Sequence, residues 1–509
     1  MCVREIYRGV RDGADISRRG SSAGHTCRLP PPTRPAPTLP GVIRVSWWEA
    51  VPPAVLALLG AVVTARGAGL WFDELFSAEV ARLPLADIVS AAVTGEGTTT
   101  YLSDIPPSYN APYYVLVHLW LELPWTGSDM SLRLFSLLAA VGGLAAMTRA
   151  VARLGGTGAG VVAGLAVAAN PLVLDQVAQA RPYGLVVLAT GLATLGLARW
   201  LDDEPRGLLL LGLAGAGMGL AHWYAAPVLA GLVVAGVVMK PRGAVALLAV
   251  AAAAVLPTVG LVVLNLFNGN GDRNAGHLLD TDGTLSWLAA QAWAGHQWPL
   301  LVVTLGLGAV ALVRAPRLRV RRLTVLGAAW VGVPLALLTA AELIRPVYFP
   351  RYLLPALLGL AVLAAAGALA SRLPRPVALG AAGLLVAATA LAGYPTLDRP
   401  PREKADEVVA ALAQWQEPGE PVVAVDHRSA IGLEHYVRQR HPGLADDVYL
   451  PPEDAPTGAD RVWLVRNVHR GVVYPTDDDE MLTAEGLRLV EETFFSGSTT
   501  TLVVQRWER

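Results

Sequence analysis

The feature that most limits what this chain can become is a series of long apolar runs, separated by short polar joints, between Trp48 and Tyr394. A helix crossing the hydrocarbon core needs roughly 20 mostly apolar residues, because its backbone polar groups must be satisfied inside the segment. Runs of that kind in series exclude a soluble globular fold. Composition agrees, since the 509 residues are 53% hydrophobic and only 16% charged. Lys plus Arg (40) nearly balances Asp plus Glu (41), which leaves no electrostatic footprint for nucleic acid, and none is expected as a partner. Cys2 and Cys27, the only cysteines, sit near the N-terminus and offer the rest of the chain neither a disulfide framework nor a Cys-based metal site.

The joints orient the runs. Basic ones, at Arg149 and Arg153, Arg199 to Arg206, Lys240 and Arg242, Arg314 to Arg322, and Arg372 and Arg375, alternate with acidic, aromatic or long ones. The positive-inside rule places the basic set in the cytoplasm. Pro112 to Leu123 is too short to span and reads as an interfacial or re-entrant helix. About eleven spans are then predicted, over 48–70, 131–150, 157–174, 183–200, 207–221, 225–239, 243–266, 298–313, 323–342, 353–371 and 377–394. The N-terminus is expected in the cytoplasm and the C-terminus outside a bacterial plasma membrane.

Three domains are expected: a disordered, basic, Pro-rich tail over 1–46, a membrane domain over 47–395 with an outer loop at 71–130, and an extracytoplasmic α/β domain over 396–509. Strand signals in the last appear at Pro421 to Asp426, Arg461 to Val468 and Thr500 to Trp507. Its Asp426-His427 pair reads as a structural strand end rather than as catalytic machinery.

Charge at a membrane boundary is costly unless it has a role. On the predicted topology Asp73, Glu74, Asp104, Asp175, Arg181, His222, Arg345 and Arg351 all fall at or beyond outer helix ends. Arginine binds phosphate through a planar bidentate fork, and a carboxylate accepts a proton from a hydroxyl nucleophile. The combination describes group transfer from a lipid phosphate, with acid and arginines facing one another across the transferred group.

These residues resemble a family. Trp71-Phe72-Asp73-Glu74, Asn110-Ala111-Pro112-Tyr113-Tyr114 before His118 and Trp120, Arg133, Gln179-Ala180-Arg181-Pro182-Tyr183, His222-Trp223-Tyr224 and Pro350-Arg351-Tyr352-Leu353-Leu354-Pro355 look like the signatures of family 39-like GT-C glycosyltransferases. That family includes protein O-mannosyltransferases and the aminoarabinose transferases of lipid A. The resemblance covers roughly 47–395. It implies a polyprenyl-phosphate sugar donor, with mannose the expected sugar, and an acceptor hydroxyl on a glycan, lipid or protein. It also implies Asp73 as general base with Glu74 as the second catalytic acid, one suited to orienting the loop. Arg181, Tyr183, His222, Arg345, Arg351 and Tyr352 become substrate-binding residues, and Arg133 a structural partner for a loop carboxylate. No cofactor is implied, and a divalent metal at the outer-loop carboxylates is left open. Two positions depart from the family pattern: Asn110-Ala111-Pro112 replaces His-Pro-Pro, and Gln179 replaces an acid, which removes one potential metal ligand. Asp175 is expected to cap a helix end. The alternative is a transporter or flippase of a lipid-linked substrate, which predicts charges along a path through the membrane. Mid-span positions here are nearly free of them.

Overall fold

In the computed structural model, residues 46–509 are described apart from 68, 99, 103–110, 125, 269–283, 315–317, 345, 371–373, 453–457 and 469–476. The tail over 1–45, Asp104, Asn110 and Arg345 therefore lie outside the described residues. Helix α1 (Val51–Arg66) is followed by three short helices, α2 (Phe72–Arg82), α3 (Leu85–Thr94) and α4 (Ala111–Leu121), before the long α5 (Asp129–Gly155). The 11 residues of α4 agree with the non-spanning helix read from the sequence.

Seven helices among the described residues are long and apolar enough to cross a bilayer: Trp47–Arg66, Asp129–Gly155, Tyr183–Leu201, Pro241–Phe267, Val320–Glu342, Pro350–Leu369 and Arg375–Asp398. Two bent pairs raise this to nine. In the first, α6 (Thr157–Ala168) turns by 66° into α7 (Pro171–Val177), so 157–174 is a bent pair, a broken span or a re-entrant loop, rather than one rod. The break has a local cause, because Asn170 Oδ1 accepts the N–H groups of Leu172 and Val173 at 3.0 and 3.2 Å and Pro171 opens α7. The other two predicted spans, 207–221 and 225–239, are shorter apolar helices, α9 (Arg206–Ala221) and α10 (Ala226–Met239), behind α8 (Tyr183–Leu201).

The later membrane helices are α11 (Ala244–Phe267), α12 (Leu285–Ala294), α13 (Trp298–Val313), α14 (Leu318–Glu342), α15 (Leu354–Ala370) and α16 (Arg375–Gly393). The second bent pair, α12 with α13, turns by 116°. Helix α15 is enclosed by its neighbours, which suits a sequence apolar on every side. Helices α5 and α8 cross without intervening side chains: a Cβ on Gly184 would stand 2.0 Å from the Ser136 carbonyl. Such close approach of small residues lets membrane helices pack backbone to backbone. Here it brings the start of α8, with Tyr183, beside the start of α5, with Arg133.

Beyond α16 the chain forms α17 (Ala405–Trp415), β1 (Val422–Ala424), α18 (His427–Arg440), β2 (Val448–Tyr449), β3 (Arg461–Val468), α19 (Asp477–Ala484), β4 (Arg488–Ser496) and β5 (Thr501–Glu508). The sheet order is β2-β1-β3-β5-β4, parallel on either side of β1 and antiparallel across β3-β5-β4. Helix α18 packs on α2, and Leu70, Phe72 and Leu75 share one apolar core with Val408, Ile431 and Tyr436. Polar contacts close the same seam. His435 places Nδ1 2.7 Å from Glu79 Oε1 and Nε2 3.0 Å from Asp129 Oδ1, while Arg438 donates to both Glu79 oxygens at 2.6 and 2.7 Å. Residues 46–509 thus make one unit.

Candidate active site

The turn entering α2 is fixed first. Glu74 is fully buried, and Arg133 donates Nε to its Oε1 at 2.9 Å and Nη2 to its Oε2 at 2.7 Å. The Ala180 N–H also donates to Oε1, at 2.7 Å. Arg133 further donates to the carbonyls of Gly67 and Gly69 at 3.2 and 3.1 Å. A buried ion pair with hydrogen bonds on both carboxylate oxygens holds a geometry. Glu74 thereby ties α2, α5 and the segment before α8 together, and Arg133 is the structural partner anticipated for a loop carboxylate. Gly69 permits the close approach behind this turn, since a Cβ there would lie 2.6 Å from both the Asp406 carboxyl and the Tyr436 hydroxyl.

One residue earlier, Asp73 points into a cationic enclosure. Arg351 Nη2 lies 2.8 Å from Asp73 Oδ2 and Arg181 Nη2 lies 3.7 Å from it. Arg181 Nη1 also donates to the Asp73 carbonyl at 3.1 Å. All three side chains are largely buried. Burial by itself raises the Asp73 carboxyl, but the guanidinium groups of Arg181, Arg351, Arg428 and Arg402 outweigh it and hold the group below the ordinary carboxylate range. The sequence placed acid and arginines on opposite sides of a transferred group. With no sugar between them they touch, because opposite charges in a partly dry site neutralise one another by direct contact.

Aromatic rings wall the arginines. Arg351 lies 4.5 Å from the Phe349 ring centroid, 5.4 Å from that of Trp71 and 5.9 Å from that of Tyr352. The His222 ring centroid is 4.6 Å from Tyr352, 5.7 Å from Tyr183 and 5.6 Å from Tyr224. Asp73, Arg181, Tyr183, His222, Arg351 and Tyr352, chosen from scattered helix ends, therefore form one cluster. Glu74 adjoins it but faces Arg133.

The C-terminal segment supplies residues that the sequence reading passed over. Arg402 lies 4.7 Å from the Trp71 ring centroid, and Arg428 lies 4.4 Å from that of Phe72. Glu403 is completely buried, and its Oε2 accepts the Phe72 N–H at 3.2 Å. An arginine pair, Arg399 and Arg402, just past the last apolar run was the available signal. Asp175 is not a helix cap: it pairs with Arg399 at 3.1 Å and Arg402 at 2.6 Å. Asp426 caps α18, accepting the Arg428 and Ser429 N–H groups at 2.8 and 3.0 Å, as its structural reading required. A cleft opens between the end of α1, the 175–179 turn and the 396–402 strap, lined by Arg66, Trp71, Arg133, Asp175, Arg399 and Arg402. Among the described residues, no group of three or more His, Cys, Asp or Glu side chains is placed to hold a metal ion.

No family model and no curated protein matches the sequence. Solved structures do. The aminoarabinose transferase ArnT from Cupriavidus metallidurans in its apo state superposes with a TM-score of 0.55 at 14% identity, over 90% of this chain and 98% of that one. ArnT from the same organism bound to undecaprenyl phosphate gives 0.53 at 14% identity, again over 90% and 98%. The chain thus has the polytopic GT-C fold that its motifs resembled.

Proposed function

We propose that the protein is a membrane glycosyltransferase that moves a sugar from a polyprenyl-phosphate donor to an acceptor hydroxyl. The reaction is assigned to the extracytoplasmic face of a bacterial plasma membrane, with mannose as the first sugar to test. The observation that carries the reading is the contact of the Asp73 carboxylate with Arg351, with Arg181 beside it, in a largely buried, aromatic-walled enclosure at helix ends. A fold shared with ArnT, which has been solved with undecaprenyl phosphate, supports the choice of lipid. Charges gathered at one end of the bundle favour chemistry there over passage through the membrane.

The chemistry follows from the charges. A donor phosphate competes with Asp73 for Arg351, whose fork suits two phosphate oxygens. Exchange releases the carboxylate from a partner that depresses its proton affinity, and it becomes a base. Asp73 then takes the acceptor's hydroxyl proton as that oxygen bonds to the anomeric carbon. The bond from that carbon to the phosphate oxygen breaks, and its electron pair leaves with the polyprenyl phosphate, whose charge Arg351 and Arg181 stabilise. Glu74 holds the turn and takes no proton.

The test is incubation of the purified protein in lipid with polyprenyl-phosphate mannose and arabinose carrying labelled sugars, together with membrane-derived glycan, lipid and protein acceptors. Release or transfer of one label is expected, and both donors remaining intact would overturn the reading.

A further inference from the structure

The strap at 399–404 is held from two sides. Toward the membrane bundle, Arg399 and Arg402 pair with Asp175. Toward the sheet, the β4–β5 turn grips it: the Thr499 and Thr500 N–H groups each donate to the Arg402 carbonyl at 3.2 Å, Thr499 Oγ1 donates at 3.0 Å, and the Ser498 N–H donates to the Pro401 carbonyl at 2.8 Å. Gly497 permits this grip, since a Cβ there would lie 2.2 Å from the Arg402 carbonyl. A segment clamped so firmly delivers its next residue, Glu403, against the first turn of α2, one residue from Asp73.

Glu403 is unusual for a buried acid. It has no solvent exposure, its Oε2 holds the Phe72 N–H, and its Oε1 has no hydrogen-bond partner. A purely structural carboxylate is normally paired and fully hydrogen-bonded, as Glu74 is. The charged groups acting on Glu403 are Arg428 and Asp426 at the start of α18 and Asp73 on α2. From this placement we infer that Glu403 is a positioning residue of the active site, a second acid whose ionisation sets the charge felt by Asp73. The inference rests on the transferase reading for its purpose but not for its test. Protonated, Glu403 leaves Asp73 to the arginines. Ionised, it adds a negative charge that raises the proton affinity of Asp73 and draws Arg428 toward itself. Burial, opposed by Arg428 and the Phe72 N–H, raises its carboxyl to about 7, so the exchange occurs near neutral pH.

The experiment is an infrared titration of the full-length protein in lipid, following the C=O stretch of protonated carboxyl groups. Wild type should lose a buried carboxylic-acid band as pH rises through about 7, and Glu403→Gln should lack that band. Asp73→Asn should shift the midpoint to lower pH, because the neighbouring negative charge that favours protonation is gone. These readouts need no turnover, so they stand whether or not sugar transfer is found, and the Asp73→Asn arm keeps Glu403 intact. A parallel pH–rate profile should show a step in kcat near neutrality that Glu403→Gln abolishes with donor binding intact. A band that survives Glu403→Gln, a midpoint indifferent to Asp73→Asn, or no titration near neutrality would overturn the inference.

Discussion

Arg351 Nη2 stands 2.8 Å from Asp73 Oδ2, so the cation assigned to the donor phosphate already holds the carboxylate assigned as base. The two assignments are therefore coupled, and variants at either residue should report on both.

Arg351→Ala should weaken binding of polyprenyl phosphate on the order of a hundredfold, the loss of a charge-assisted pair at a partly dry site. Arg351→Lys should recover only part, since a point charge lacks the fork. Scintillation or fluorescence binding to the lipid phosphate measures this directly. Unchanged affinity in Arg351→Ala would remove the assignment.

Asp73→Asn preserves size but cannot take a proton, and turnover should fall about a hundredfold to ten-thousandfold. Donor affinity should hold or tighten, because the amide no longer competes for Arg351. Single-turnover transfer and equilibrium binding separate the two effects. Near-normal transfer would place the base elsewhere.

Glu74→Ala leaves Arg133 buried without its carboxylate, and such a broken pair costs about 3 to 5 kcal/mol. Arg133→Ala should cost a similar amount, and the double variant little more than either alone. Unfolding in detergent is the measurement. A mild Glu74→Ala that folds normally yet abolishes transfer would return Glu74 to the chemistry.

The seam between α2 and α18 should carry a pH signature. Burial raises Glu79, but hydrogen bonds from His435 and Arg438 outweigh it and bring it to about 2, against an ordinary 4.5. A depressed carboxyl gives stability present above the unfolded value and lost as pH falls through the folded one. The difference amounts to about 3 kcal/mol, lost between about pH 4.5 and about 2. Limited proteolysis by an acid-active protease should release the segment after α16 in that window. Glu79→Gln should flatten much of that dependence and leave the part due to Asp129, which burial raises but His435 holds below the ordinary carboxylate range, and an unchanged wild-type profile would sink the attribution.

An alkaline-phosphatase fusion after Thr396 should be active, because the positive-inside rule assigns the basic joints to the cytoplasm and the alternation read from the sequence then assigns the Asp73 loop and the residues after Tyr394 to the other side. An inactive fusion, with a cytoplasmic reporter active at the same point, would invert the orientation.

Asp73, Arg181, His222 and Arg351 were legible in the sequence because charge or imidazole at the end of an apolar run stands out against its cost. Glu403, Arg402 and Arg428 were not, for the converse reason: in a polar stretch a charge carries no penalty, and only tertiary contact brings it to Trp71 and Phe72. The turn between α6 and α7 was hidden similarly, because apolar residues flank both sides and only Asn170-Pro171 marks it. The role of Glu74 was half visible, since adjacency to Asp73 suggested shared chemistry and only its enclosure by Arg133 separates the two.

The grip of the β4–β5 turn on the Arg402 carbonyl also sets an order of events during synthesis. Chain emerges at roughly 5 to 20 residues per second and domains fold largely in sequence, so α1 to α16 can enter the bilayer while the segment that closes over Trp71 is still on the ribosome. Thr499 and Thr500 must be made before Arg402 and Glu403 are locked in place. The side of the enclosure that Arg402 and Glu403 form thus locks only after the last membrane helix has been made, and a nascent chain with every span inserted still lacks it.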